Sequence, residues 1–150
     1  MHPRGAQRGL AMVEFAIVLP LLLFLLLAVA ELGRAFFQYN TLTKSVRDGA
    51  RYLAAYARSG TGADVDTSAF TEAQNLVLCG RTACGGGDAL LPGMSLGDVS
   101  ADRFGLEHVT VTAQYDYQPM VGAVLPTFGL GDGDIPLTFT LQSTVTMRML

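Results

Sequence analysis

The chain runs to 150 residues, 50% of them apolar and 15% charged, with 17 glycines, 6 prolines and 2 cysteines, which leaves room for one modest domain and an appendage. A mean hydropathy of +0.35 is too apolar for disorder, and two cysteines exclude both a disulfide-dense miniprotein and a four-thiolate zinc module. Residues 1–61 hold seven Arg/Lys against three acids (+4) and residues 62–150 hold three Arg, no Lys and ten acids (−7), which together give the −3 of the whole chain. An acidic second half repels phosphate backbones, so no nucleic-acid partner is expected.

From Leu10 to Ala30 the sequence reads LAMVEFAIVLPLLLFLLLAVA, and its only ionisable residue is Glu14. As a helix rising 1.5 Å per residue it is about 30 Å long, the thickness of one hydrocarbon core. Arg4 and Arg8 precede it without an acid. The positive-inside bias therefore places the N-terminus in the cytoplasm and everything after Ala30 outside. Three readings compete. A cleaved secretory signal finds a small-x-small site in Ala28-Val29-Ala30 before Glu31, but the run is long for one. A plain anchor has no use for a carboxylate, which costs about 2.5–3.5 kcal/mol near a helix centre and less near an end. In the third reading a peptidase cuts after Gly9, Leu10 acquires a free α-amine, and Glu14 becomes the fifth residue of an apolar helix. Its partner is then the N-terminal ammonium of a neighbouring subunit, and the pair fixes axial register between subunits.

The residues that favour the third reading also carry a resemblance. Arg8-Gly9-Leu10-Ala11-Met12-Val13-Glu14-Phe15-Ala16, followed by Leu19-Pro20, resembles a class III (type IVb, Flp/Tad) prepilin signal: a short basic leader, Gly before the cut, Glu five residues after it, and an aromatic next. Phe15 stands where major Flp pilins have Tyr. With Glu31-Leu32-Gly33-Arg34-Ala35-Phe36 and Asp48-Gly49-Ala50-Arg51-Tyr52, the run is similar to the TadE-like minor pilins, or pseudopilins, of the tight-adherence machinery. The likeness is strong over residues 8–53 and weaker over 75–150. It implies a non-enzymatic, single-pass inner-membrane protein with its head periplasmic or extracellular. A prepilin peptidase would process it at Gly9 and Leu10, and its partners would be membrane lipid, other pilin subunits and the Tad inner-membrane assembly platform. No cofactor and no small-molecule substrate are implied. A head of nearly ninety residues is too large for a small major Flp pilin.

Beyond the span the apolar pattern narrows to Leu32, Phe36, Tyr39, Thr43, Val46, Ala50, Leu53 and Ala57, a heptad seam. This predicts a single helix from Leu10 to about Arg58, roughly 70 Å long, stopped by Ser59-Gly60-Thr61-Gly62. The outer part of the seam either packs on the chain's own head or on other helices. Pro20 removes one backbone hydrogen bond and allows a kink that would let the stem change curvature, or it is an ordinary membrane proline.

Residues 61–150 form the head. Asp66-Thr67-Ser68 offers an N-cap for a short helix over Ala69–Leu78, with Glu72 in its first turn. Strict alternation marks two strands, Val109 to Tyr117 and Leu137 to Met147. A two-stranded ribbon is marginal alone, so it is expected to cover the outer half of the long helix, with a third strand from Leu76–Cys79 or Met94–Val99. The fold class is therefore α+β: leader 1–9, membrane and assembly helix 10–30, helical extension 31–60, and a head with an antiparallel sheet.

Cys79 and Cys84 flank a Gly-rich loop on the exterior side, where a local disulfide is the economical reading over a redox or metal pair. Gly131-Asp132-Gly133-Asp134 reads as a polar turn rather than a calcium site, which needs six to eight oxygens. His2 and His108 give no triad, and no phosphate loop, dinucleotide fingerprint or metal set is visible. The stretch 119–130 is apolar for a connection. It is either a membrane-proximal or subunit-contacting loop, or a buried cover on the sheet. An anchored binding module or adhesin, with the stem as a mere tether, is the alternative to a pilin-like protein.

Overall fold

The computed structural model describes residues 5–56, 67–105, 107–120, 122, 124–125, 133 and 135–149. The chain divides into two compact units, Met1–Ala35 and Phe36–Leu150. In chain order the elements are helix α1 (Gly5–Tyr56), helix α2 (Thr67–Cys79), a single 3-10 turn (Leu96–Asp98), and strands β1 (Val99–Phe104), β2 (His108–Asp116), β3 (Val124–Leu125), β4 (Ile135–Pro136) and β5 (Thr140–Arg148). The class is α+β, with a long apolar helix at the N-terminus and a small antiparallel sheet in the head.

Three strands form one antiparallel sheet in the order β1-β2-β5. Period-2 alternation fixes its register, because a one-residue slip would turn Val109, Val111, Ala113 and Tyr115 from the core to solvent. On the opposite face Thr110 pairs with Thr146 and Thr112 with Thr144 through their hydroxyls, at 2.9 and 3.0 Å. The core-facing residues of β2 join Leu42, Val46, Ala50 and Leu53 of α1 and Ala69, Ala73 and Val77 of α2 in one buried cluster. The sheet thus shares its core with the outer half of the long helix.

Gly49 sets how closely the two helices approach. A Cβ built there would lie 2.6 Å from Val77 Cγ2 and 2.9 Å from the Ala73 carbonyl oxygen. Only hydrogen at this position lets α2 cross α1, and Ala50 and Ala73, both fully buried, keep the crossing narrow. The Tyr52 hydroxyl donates to the Glu72 carboxylate across the same pair. At its far end α2 stops at Gly80, whose φ of +73° is the left-handed cap conformation. The Gly80 N–H bonds Leu76 O at 2.9 Å and the Leu90 N–H bonds Leu78 O at 2.7 Å, which satisfies two of the last four carbonyls. Immediately beyond, Cys79 and Cys84 are joined by a disulfide with Cα atoms 5.9 Å apart.

Several expectations shift. Leu76–Cys79 is the last turn of α2 rather than a strand, and the third strand is Val99–Phe104. The second helix runs from Thr67 to Cys79, 13 residues rather than the span Ala69–Leu78, and buries Ala69, Ala73 and Val77. Glu72 therefore sits one turn deeper than a dipole-stabilising position and serves Tyr52 instead. The final strand begins at Thr140, and the preceding Phe139 stacks on Tyr117 with ring centroids 4.9 Å apart. The apolar connection carries the small β3-β4 ladder, in which Val124 and Ile135 are exposed. The helix stop at 59–62, the cap residue Asp66, and Gly131, Asp132 and Asp134 lie outside the described residues.

Two stability tests follow from this packing, each read as thermal melting of the full chain in detergent by circular dichroism. Gly49→Val should destabilise the head by about 1–3 kcal/mol through overpacking. Gly33→Val, whose Cβ meets nothing within 4 Å, should not. Cys84→Ser should lower stability by about 2 kcal/mol, the low end for a short loop. The unreduced wild type should offer no thiol to alkylation, and a freely alkylated wild type would remove the disulfide from this account.

Candidate functional site

The first unit is built almost wholly from the apolar part of α1. In the stretch from Gly9 onward that qualifies by length and composition to cross a membrane, none of the most apolar window is buried within the chain. Leu10 is 72% exposed, and Phe15, Ile17, Leu21 and Leu25 are likewise open. A soluble protein buries such side chains, each worth about 1.5–3 kcal/mol. A helix that is apolar all round belongs in lipid or among other helices.

Glu14 lies in this surface, exposed like its neighbours. Leu10 and Glu14 are four residues apart on one helical face, about 6 Å along the axis. Phe15 follows on an adjacent face, 61% exposed. Gly9 is helical and exposed, and a Cβ there would meet nothing within 4 Å. Since glycine inside a helix costs roughly 1 kcal/mol relative to alanine, packing in the folded chain gives no reason for it. Pro20 lies inside α1, which continues on both sides of it. Gly9, Leu10, Glu14, Phe15 and Pro20 thus share one helix, while Cys79 and Cys84 belong to the head and close its loop after α2.

The heptad seam divides in two, and Leu32, Phe36 and Tyr39 in its lower part are exposed. From Val46 upward it faces the core as expected, with Val46, Ala50 and Leu53 fully buried. Below that, the buried positions are Glu31, Ala35, Gln38 and Leu42, one residue earlier than Leu32, Phe36, Tyr39 and Thr43. Leu32 and Tyr39 are exposed, as are Phe36 (59%) and Phe37 (71%), whereas Gln38 is only 4% exposed. Glu31 and Gln38 are therefore buried with Ala35, while Leu32, Phe36, Phe37 and Tyr39 are exposed. Gln38 Oε1 and Thr43 Oγ1 are buried without a hydrogen-bond partner. Apolar spacing could not have placed this stripe, since the two candidate stripes are one residue apart and the buried one is the more polar.

Among the described residues no group of three or more His, Cys, Asp or Glu is placed to hold a metal. A shallow cavity of about 200 Å³ lies against α1, lined by Thr41, Lys44, Ser45, Asp48, Leu76, Gly80 and Leu90. Ser45 Oγ is committed to the Leu42 carbonyl at 2.9 Å. His108 is exposed at the start of β2, opposite Phe104 and Arg148.

Comparison with known families matches residues 9–51 to the TadE-like protein family. The match begins at Gly9, takes in the whole apolar run, and ends at Arg51, two residues past the notch at Gly49. It lies on the region where the sequence carries the resemblance. No curated protein and no solved structure matches the chain.

Proposed function

We propose that this protein is a prepilin-like subunit or assembly factor of a Tad adhesion pilus, released from its leader by a prepilin peptidase that cuts between Gly9 and Leu10. One observation carries this reading: a helix exposed and apolar on all sides holds a single carboxylate, Glu14, five residues beyond a glycine that packing does not require. The TadE-like match to residues 9–51 supports it.

Cleavage at Gly9 creates an ammonium on Leu10. A carboxylate and an ammonium buried in hydrocarbon are each costly alone, and their contact offsets both burials. In a packed array Glu14 of one subunit pairs with the Leu10 amine of its neighbour and sets the axial stagger. The other apolar side chains of the span supply area but no register, because leucine packs on leucine at many offsets. The basic leader holds the N-terminus in the cytoplasm and the head is exported. The protein works by association and not by catalysis; its partners are the peptidase, membrane lipid, other pilins and the inner-membrane assembly platform.

N-terminal sequencing of protein from cells with an active peptidase should begin at Leu10. A start at Met1 indicates a tethered ectodomain, a start at Glu31 a secreted protein, and either overturns the proposal. Gly9→Val should leave the uncut precursor on a gel. Glu14→Ala should insert and be processed normally, yet breaking a buried pair at one partner costs about 3–5 kcal/mol. Its recovery in sheared pili should fall by roughly a hundredfold or more, and wild-type recovery would end the register role.

A further inference from the structure

The two edges of the three-stranded sheet are treated differently. At the β1 edge, Gln74 Nε2 of α2 donates to the Val99 carbonyl at 3.0 Å, so the start of that edge is capped by a side chain. At the β5 edge no described strand pairs.

Two backbone bonds fix which groups of β5 face outward. The Tyr117 N–H donates to Phe139 O at 2.9 Å and the Met149 N–H to Glu107 O at 2.7 Å. Both continue the β2-β5 register, in which Val109 faces Met147 and Tyr115 faces Leu141. In an antiparallel ladder hydrogen-bonded pairs alternate with non-bonded ones. The odd-numbered residues of β5 therefore bond β2, while Thr140, Gln142, Thr144, Thr146 and Arg148 turn their N–H and C=O groups away from it. All five are exposed. The strand is nine residues long and carries no Lys, Pro or inward charge, the usual devices that blunt an edge.

We propose that this edge pairs with the same edge of a second copy of the chain, antiparallel and centred on Thr144, making one continuous sheet across a two-fold axis. This register uses the whole strand: Thr144 faces Thr144, Gln142 faces Thr146, and Thr140 faces Arg148. Each of these is a hydrogen-bonded pair, because the outward groups lie on the even residues. On the core side Leu141 faces Met147 and Ser143 faces Val145. Leu141, Val145 and Met147 are only half-buried beside the core, and the partner strand covers them. On the solvent side charge is complementary at both ends. Asp116 sits beside Thr140, whose hydroxyl donates to it at 2.7 Å. Arg148 of the second copy arrives opposite Thr140, two strand spacings or about 9.6 Å from Asp116, and exchanges its exposed contact with Glu107 for that carboxylate. The Thr-Thr hydroxyl pairs already present between β2 and β5 recur at Thr144 across the axis.

This surface does not depend on how the stem is processed. It is tested on the full chain in native membranes by oxidative cross-linking. Thr144→Cys should form a disulfide-linked homodimer, since facing Cα atoms in such a pair are about 5.5 Å apart. Gln142→Cys should give at least about tenfold less dimer, because its own counterpart lies about 13 Å away along the strand. Gln142→Cys with Thr146→Cys should cross-link strongly, and adding Thr144→Pro should abolish it. That proline removes an outward N–H and the hydroxyl that pairs with Thr112, so its melting curve should match that of the Thr144→Val counterpart, which loses the hydroxyl alone and should still cross-link; this separates lost pairing from lost folding. Equal cross-linking of the Thr144→Cys and Gln142→Cys variants, no cross-linking by Thr144→Cys, or an adduct with a different protein would overturn the proposal.

Discussion

Apolar side chains exposed on every side of the apolar run of α1, Leu10 to Ala30, impose the constraint from which the rest follows. Each exposed Leu, Ile or Phe of the span left in water costs about 1.5–3 kcal/mol relative to burial. Summed along the run, this is on the order of tens of kcal/mol, more than the whole net stability of an ordinary domain. The chain itself covers none of the most apolar window. The cover must come from outside, as lipid or as other helices. Within such surroundings an ionised carboxylate is the costliest group present, which is why Glu14 bears on function far more than its single charge would in a soluble helix.

The outer half of α1 meets the opposite condition. There the chain supplies its own cover, and the helix can hold small residues where α2 crosses and large ones where the sheet closes over it. Between the two regimes, over residues 31–39, the pattern inverts: Gln38 is buried and Phe36 and Phe37 are not. A helix surface designed for water would do the reverse. The exposed Phe36 and Phe37 prolong the apolar surface of the helix beyond Ala30.

Much of this was legible in the sequence because its period was unambiguous. Alternation gave the phase of β2 and β5 residue by residue, since each outward position carries Thr, Gln, Asp, His or Arg and almost every inward one an apolar side chain. The span was legible from length alone. The lower seam was not, because Leu32, Phe36 and Tyr39 satisfy a heptad as well as any core stripe does, and spacing reports that residues share a face without saying what that face meets. The extent of α2 was hidden for a related reason: its core contacts are alanines, which carry little periodic signal. The β3-β4 ladder, two residues on each side, lies below the length at which alternation can be read at all.

The glycines of α1 separate what the fold requires from what it does not. Each replaces an alanine at roughly 1 kcal/mol of helix stability. At Gly49 that cost is offset by the approach of α2, which a Cβ would block at 2.6 Å. At Gly9 no neighbour lies within 4 Å, and the folded chain would accommodate any side chain there. Gly33 is equally uncrowded, so what sets Gly9 apart is its place five residues before Glu14. On the proposed reading, a backbone free of side-chain cover would serve a peptidase cutting after Gly9, one turn before the carboxylate that the new terminus would neutralise.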